Sequence, residues 1–129
     1  MTTPPGFATV TPYIFADDAP SFCRFLTEGL GAQELGRELD GERIANAQFR
    51  IGNTTLMVSE AGRGFDAMPA SYYLYVDNAD VAHERAIAAG AVEVSPVRDQ
   101  PYGDRQGGVR DRHGNYWWIS QRLVEGGYD

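Results

Sequence analysis

The sequence contains no lysine: all 11 of its basic residues are arginine, and with 18 acidic residues they give a net charge of −7. The absence of lysine excludes Schiff-base chemistry, pyridoxal-phosphate enzymes and the phosphate loops that depend on a lysine. An acidic chain without a basic stripe also lacks the cations that neutralise nucleic-acid phosphates. We therefore expect no nucleic-acid partner.

Two further absences narrow the class of protein. Cys23 is the single cysteine, which rules out an internal disulfide and a zinc site built from cysteines. No apolar run approaches the roughly 18 residues that cross a membrane, and no charged-then-apolar leader opens the chain. These features predict a cytoplasmic protein without a membrane partner. With 129 residues and 43% hydrophobic content, the chain is long enough to fold as a single domain over residues 1–129.

The sequence repeats itself once. Residues 12–19 align with residues 72–79, and each segment is an apolar strand that ends in an acidic turn before an alanine that begins a helix. The turn residues Asp18 and Asn78 can cap those helices through their side-chain oxygens. Glycines follow both helices, as a left-handed C-cap requires. Three short strands are then predicted in each half, at about residues 34–39, 44–51, 54–58, 92–98, 106–110 and 116–120.

Each half is thus predicted to be a β-α-β-β-β module, the first over residues 7–60 and the second over 71–122, with a linker at 61–70. A half of this size does not easily bury the helix-facing side of its sheet alone. We expect an α+β fold in which the modules form one curved mixed sheet, with helices on the convex side and an open cup on the concave side. The alternative is an ordinary two-layer α+β domain whose repeat is accidental.

Three segments carry a resemblance to a known family. They are Thr11-Pro12-Tyr13-Ile14, Ala47-Gln48-Phe49-Arg50-Ile51-Gly52, and a C-terminal run that joins Pro101-Tyr102-Gly103-Asp104-Arg105, Val109-Arg110-Asp111 and Gly114-Asn115-Tyr116-Trp117-Trp118-Ile119. With these motifs the chain resembles the glyoxalase, bleomycin-resistance and extradiol-dioxygenase (vicinal oxygen chelate) superfamily, and within it the PhnB-like branch. The resemblance covers Phe7 to Arg122. It implies paired modules, usually in a homodimer, with a small-molecule ligand in the cup.

Metal-dependent members of this superfamily hold a divalent ion with four side chains, two from each module. The resemblance places these positions on Thr11, Leu56, Ser71 and Trp118. None of them is an imidazole, carboxylate or thiolate, the groups that such an ion requires. We therefore predict that the chain uses no metal and no other cofactor, which speaks against glyoxalase and ring-cleaving dioxygenase activity.

Strand alternation predicts which side chains face the cup, independently of any metal. In the third strand Ala47 and Phe49 are expected under the helix, whereas Ile44 is expected on the cup side. The same parity places Leu56 and Val58 on the cup side. The resulting aromatic and neutral polar surface is typical of a small-molecule pocket. The predicted ligand-binding residues are Tyr13, Asn46, Gln48, Arg50, Leu56, Ser71, Tyr73, Tyr75, Tyr102, Tyr116 and Trp118. The alternatives are aromatics that fill a closed barrel, or a dimer interface.

Four arginines lie in the loop of residues 98–112, interleaved with aspartates: Arg98, Arg105, Arg110 and Arg112. A guanidinium there can bind a ligand carboxylate or pair with a neighbouring aspartate. The sequence leaves both options open, although for Asp104 and Arg105 we expect an internal ion pair.

The preferred hypothesis is metal-free binding of a small aromatic or amphipathic molecule. A metal-free isomerase, lyase or cyclase ranks second, because acid–base chemistry would have only tyrosines, with Asp104 and Arg50 near the rim. No catalytic residue is predicted. The parent chemistry, a metal-dependent lyase or dioxygenase, ranks third.

Overall fold

The repeat in the sequence corresponds to a repeat in the structure. A computed structural model describes residues 2–129 and divides them into two compact units, one up to Pro69 and one from Ala70. Each unit is a β-α-β-β-β module with its own four-stranded mixed sheet, which confirms the predicted α+β fold. Within residues 2–129, no helix is both long and apolar enough to cross a membrane.

Module one contains β1 (Tyr13–Ala16), α1 (Ala19–Leu30), β2 (Gln33–Asp40), β3 (Arg43–Ile51) and β4 (Thr54–Glu60). Its strands lie in the order β1-β4-β3-β2, with β1 parallel to β4 and the other neighbours antiparallel. α1 packs on β3 and β4, and the residues Phe22, Leu26, Phe49 and Val58 are fully buried in this layer.

Module two contains β5 (Ser71–Tyr75), α2 (Ala79–Ala88), β6 (Val92–Asp99), β7 (Asp104–Arg110) and β8 (Tyr116–Arg122). Its strand order is β5-β8-β7-β6, with β5 parallel to β8, so both modules have the same topology. α2 packs mainly on β7. Its buried positions are Ala79, His83 and Ala86.

The N-termini of both helices follow the predicted capping chemistry. The Asp18 carboxylate accepts the amide of Ser21, and the Asn78 side chain accepts the amide of Val81. Glu60 at the end of β4 adds a second cap, because its carboxylate accepts the amides of Asp18 and Ala19 at 2.9 and 2.8 Å. A carboxylate at a helix N-terminus satisfies free amides and complements the helix dipole. The start of α1 is thereby tied to the end of the sheet.

The predicted alternation is wrong for β4. Leu56 pairs with Phe49, and Val58 pairs with Ala47. Because directly opposite residues of an antiparallel pair share a face, Leu56 and Val58 lie on the helix side, where they are 4% and 0% exposed. The predicted ligand-binding position Leu56 is therefore part of the core beneath α1.

The error arises in the turn before β4. Leu56 and Trp118 each follow a turn glycine, Gly52 or Gly114, by four residues, but the turns differ in length. β3 passes to β4 through residues 52–53, whereas β7 passes to β8 through residues 111–115, so equal spacing from the glycine does not give equivalent positions. The strand pairing gives the true correspondence. Met57 lies beside Tyr13 just as Trp118 lies beside Tyr73, and Met57 is thus the counterpart of Trp118.

A bulge in β3 causes a second departure. Glu38 pairs with Asn46 and Leu39 with Ile44, which leaves Ala45 as an extra residue opposite β2. Ile44 is consequently 1% exposed and Ala45 is exposed, the reverse of the prediction for this end of the strand.

Candidate functional site

The sheet face of module two that α2 does not cover, which we call open face two, carries a row of aromatic side chains. Ser71 pairs with Tyr116, and Tyr73 pairs with Trp118, so these four residues share this face. Tyr73 and its neighbour Tyr75 are 53% and 56% exposed. The Trp118 indole N–H donates to Ser71 Oγ at 2.8 Å, and the Trp118 ring is parallel to Tyr116 within 10°. The row is both ordered and accessible.

Gly108 of β7 makes room for the indole. It pairs directly with Trp118, and a Cβ atom at this position would lie 2.5 Å from Trp118 Cζ3. Real side chains do not approach so closely, so the ring rests against bare backbone. The absence of a side chain at residue 108 therefore sets the position of the largest aromatic group on open face two.

A short chain of polar groups lies next to the aromatic row. The Tyr102 hydroxyl donates to Gln106 Oε1 at 2.7 Å, and Gln106 Nε2 donates to Ser120 Oγ at 2.6 Å. Partial desolvation, followed by a hydrogen bond with Tyr73, raises the pKa of Tyr102 above its ordinary value. Its phenol is thus neutral at physiological pH and suited to hydrogen bonding. Gln106 was missed from the sequence because no face was assigned to β7.

Asp104 lies under the C-terminal segment at the end of open face two. It is fully buried, and Arg122 Nη1 donates to its carboxylate at 2.9 Å. Arg105 does not pair with Asp104, but its charge is engaged within the chain as expected, by Asp80 and Asp99 at 2.8 and 2.9 Å. The Asp104 carboxylate also accepts a hydrogen bond from Tyr128 at 2.8 Å. Asp104 is therefore a buried anchor rather than a residue of the rim.

Two other arginines point from open face two without a protein partner. Arg98 pairs in the sheet with Gln106, and Arg110 pairs with Tyr116. Within residues 2–129, neither guanidinium makes a hydrogen bond or an ion pair, and both residues are exposed. Arg112 differs, since its guanidinium lies against Gly90. Of the four arginines in this loop, Arg98 and Arg110 are thus available to an anionic group.

Asp111 holds the turn that leads into β8. Its buried carboxylate accepts the backbone amides of His113 and Asn115, the Asn115 side-chain amide, and the Trp117 indole N–H at 2.9 Å. Trp117 faces the helix side and stacks on Tyr72 at 4.6 Å. Burial, with a smaller effect of Asp111, raises the pKa of Tyr72. Asp111 thus positions the strand that carries Trp118, from the opposite side of the sheet.

The corresponding face of module one, open face one, is more polar. The hydroxyl groups of Tyr13 and Ser59 are hydrogen-bonded at 2.8 Å. Arg50 Nη1 donates to the Gly6 carbonyl at 3.2 Å and to Thr55 Oγ1 at 3.3 Å. Its guanidinium is therefore partly occupied within the chain.

Asn46 and Gln48 line a shallow groove of about 270 Å³ at the β2 edge of open face one, together with Gly36, Arg37 and Glu38. Their amide contacts are long: 3.5 Å between Gln48 Nε2 and Asn46 Oδ1, and 3.7 Å between Asn46 Nδ2 and Met57 Sδ. Long contacts of this kind are weak, which leaves both amides able to bond to a ligand.

The structure sorts the predicted ligand-binding residues by module. Open face one carries Tyr13, Asn46, Gln48 and Arg50, and open face two carries Ser71, Tyr73, Tyr75, Tyr116 and Trp118. Tyr102 follows β6 and contacts the second group through Gln106. Leu56 belongs to neither face.

The superfamily's metal does not fit the donors at the corresponding positions. With the corrected register these positions are Thr11, Met57, Ser71 and Trp118, and the last two are bonded to each other. Hydroxyl, thioether and indole groups do not form the nitrogen, carboxylate or thiolate set that holds a divalent ion in such sites. Across residues 2–129, no three His, Cys, Asp or Glu side chains are grouped to hold a metal ion.

Paired β-α-β-β-β modules with open sheet faces define a known class of proteins. The profile of the Glyoxalase/Bleomycin resistance protein/Dioxygenase superfamily matches residues 6–119 of this chain. The chain belongs to this superfamily, as its motifs indicate. It is also similar to the uncharacterized protein Mb0911c of Mycobacterium bovis, with 33% identity over 129 aligned residues that cover 90% of this chain and 84% of Mb0911c.

Solved structures share the fold over most of their length. TioX from Micromonospora sp. ML1 has a TM-score of 0.74 and 25% identity, covering 93% of this chain and 100% of TioX. TnmS3, an antibiotic binding protein from Streptomyces sp. CB03234, has a TM-score of 0.70 and 18% identity, covering 89% and 97%. A PhnB protein from Bacillus cereus has a TM-score of 0.69 and 17% identity, covering 88% and 99%.

Proposed function

We propose that this protein binds a small aromatic or amphipathic molecule without a metal, and that open face two provides the main contact. The observation that carries the proposal is the row of three exposed tyrosines, Tyr73, Tyr75 and Tyr116, with the half-buried Trp118, beside the buried amide of Gln106. Such a surface combines stacking area with a few fixed hydrogen-bonding groups, as ligand pockets do. The shared fold of TnmS3, an antibiotic binding protein, supports the same class of function.

Open face one and the free arginines add to this proposal. Open face one offers polar contacts of its own to a small molecule, through Tyr13, Asn46, Gln48 and Arg50. Arg110 is exposed beside Tyr116 and can pair with a ligand carboxylate by two parallel hydrogen bonds. We expect an aromatic acid to bind more tightly than the uncharged analogue of the same size.

Binding is preferred to catalysis because the groups of this face that could act as a general acid or base are engaged or poorly suited to that role. Asp104 is buried with Arg122 and Tyr128, and the pKa of Tyr102 is raised, so that little of its phenolate is present to act as a base. No observation favours a metal-free isomerase, lyase or cyclase over a binder. A homodimer and a cytoplasmic location stay predictions from the sequence.

Adjacent tryptophans on opposite faces allow a direct test. Trp118 lies on open face two, whereas Trp117 is buried on the helix side. We expect flat aromatic acids such as 2-naphthoate to quench the tryptophan fluorescence of the wild-type protein in a saturable manner. The Trp117→Phe variant should keep this quenching, and the Trp118→Phe variant should lose most of it. Tyr73→Ala should weaken binding by about tenfold, the usual effect of losing a stacked ring.

Two results would contradict the proposal. One is the absence of saturable quenching and of any thermal shift across a broad panel of aromatic acids, phenols and polycyclic compounds. The other is quenching that persists in Trp118→Phe, since the ligand would then lie elsewhere. A chelator added to the titration tests the metal separately, because binding that disappears with chelation would contradict metal independence.

A further inference from the structure

We propose that the C-terminal segment, residues 123–129, forms one wall of the ligand site, with Tyr128 as a ligand-contacting residue that limits ligand size. This inference rests on the proposed function of open face two. The match to the superfamily profile covers residues 6–119, and this segment lies outside the matched residues.

The Tyr128 side chain extends the aromatic row of open face two. The hydroxyl groups of Tyr75 and Tyr128 are 2.6 Å apart, and Tyr128 in turn donates to Asp104 Oδ2 at 2.8 Å. The Tyr128 ring also meets the edge of the Tyr102 ring, with centroids 6.4 Å apart. Tyr75 and Tyr102 both border the Gln106–Ser120 pair, and Tyr128 therefore adds a third ring around the same polar groups.

A single guanidinium holds the segment in this position. Arg122 Nη2 donates to the carbonyls of Gly126 and Gly127 at 3.1 and 2.7 Å, and its Cζ lies 4.4 Å from the Tyr128 ring centroid. Arg122 Nη1 donates to Asp104, whose buried charge needs these partners. The wall is thus linked to a buried ion pair.

Gly103 shows that the rest of the module accommodates the segment. Its φ is +90°, and a Cβ atom there would lie 2.7 Å from Val124 Cγ2 and 3.0 Å from Arg122 Nη1. The backbone before β7 therefore leaves the space that Val124 occupies. Docking of the segment is supported from both sides, by a close approach at Gly103 and by the hydrogen bonds of Arg122.

The wall lies at one end of the row only. Tyr128 borders the Tyr75 end, whereas the Tyr116 end, beside Arg110, is exposed. A flat molecule that stacks on the row at its Tyr75 end meets the Tyr128 ring, because the hydroxyl groups of Tyr75 and Tyr128 are 2.6 Å apart. Its extent in that direction is limited by the ring rather than by the hydroxyl group.

The test compares two neutral probes of different size, 1-naphthol and 1-hydroxypyrene, by quenching of Trp118. In Tyr128→Ala, we expect the affinity for 1-hydroxypyrene relative to 1-naphthol to rise by about fivefold, because the wall is gone. Tyr128→Phe keeps the ring and should keep the wild-type ratio. A purely structural role would weaken both probes equally and leave the ratio unchanged, which would overturn the inference.

A second measurement uses the wild-type protein and so does not depend on the folding of a variant. Nuclear Overhauser contacts between bound 1-naphthol and the Tyr128 ring protons are expected, and their absence in a saturated complex would overturn the inference. If the wild type binds neither probe nor any aromatic acid, the proposed function itself fails. The two failures are therefore distinguishable.

Discussion

The two modules have the same topology and different open faces. Tyr13 and Tyr73 occupy equivalent positions beside Met57 and Trp118, and the next strand places Gln48 where module two has Gly108. In module two the missing side chain lets an indole lie flat on the sheet. In module one the equivalent position carries the Gln48 side chain, and Met57 stands in place of the indole. The aromatic face and the polar face thus differ at paired positions on two neighbouring strands.

The chain ends deepen this difference. The Gly6 carbonyl accepts hydrogen bonds from Arg50 and Thr55 on open face one, whereas the equivalent arginine of open face two, Arg110, is free. At the other edge of open face two, Tyr128 contacts Tyr75. The two modules therefore share one backbone arrangement. The contacts made by Gly6 and Tyr128 determine which side chains of each open face stay available to a ligand.

The largest expected effect tests the corrected register of β4. Leu56→Ala removes a side chain from the core beneath α1 and should cost about 2–4 kcal/mol in free energy of unfolding. Met57→Ala removes a side chain from open face one and should cost less than about 1 kcal/mol. Urea unfolding of both variants measures the difference. Equal costs would mean that Leu56 does not lie in the core with Met57 on open face one, and they would contradict the equivalence of Met57 with Trp118.

Much of the fold could be predicted from the sequence, because the same order of strands and helix must fit both halves of the repeat. The strand that ends in Asp18 and the strand that ends in Asn78 share one pattern, and their capping roles are as predicted. The predicted face of each parallel edge strand, β1 and β5, is also correct. Tyr13 and Tyr73 lie on the side of the sheet that faces away from the helix. Period-2 alternation is reliable where a strand is short and regular.

The errors have two physical sources. The position of a glycine does not reveal the length of its turn. Because the turn at Gly52 has two residues, the predicted register of β4 is off by one residue, and Leu56 is predicted on the wrong face. Side-chain partners that are distant in sequence were also missed. Asp104 was matched with its neighbour Arg105, while its partners in the structure are Arg122 and Tyr128. Nothing local marks a C-terminal tyrosine as part of a site.

The intermediate effect tests why Trp118 lies flat. Gly108→Ala places a methyl group in the indole and should cost about 1–3 kcal/mol, because an overpacked group must displace its neighbour. It should also shift the Trp118 fluorescence and weaken ligand quenching. Gly36→Ala is the matched control in module one, since a Cβ there meets no atom within 4 Å. We expect that change to stay within about 0.5 kcal/mol.

Urea unfolding followed at both tryptophans provides the measurement. If Gly108→Ala is as neutral as Gly36→Ala, the close approach of Trp118 to β7 is not required. The difference between the open faces would then come from the aromatic residues alone rather than from the glycine beneath them.

The helix layers differ as well. Cys23 of α1 and His83 of α2 occupy equivalent buried positions. His83 Nε2 meets Glu93 Oε1 at 2.9 Å, whereas the equivalent glutamate of module one, Glu34, binds Arg37 at 2.7 Å. Hydrogen bonding to Arg37 lowers the pKa of Glu34. In module one, therefore, Glu34 binds Arg37 rather than a helix residue, and the buried helix position holds the uncharged thiol of Cys23.

The smallest expected effect concerns this thiol. Burial raises the pKa of Cys23 from 9.0 to about 11, despite an opposing effect of Arg37. At about pH 8 the folded protein should react with a thiol reagent about 100-fold more slowly than the urea-unfolded chain, because the thiolate is the reactive form.

The neutral thiol is favoured in the folded state, so its contribution to stability is complete below pH 9.0 and is lost as the pH rises to about 11. The stability difference between wild type and Cys23→Ala should change only within that range. A difference that changes below pH 9.0, or labelling as fast as in the unfolded chain, would show that Cys23 lies at the surface and that the two helix positions are not equivalent.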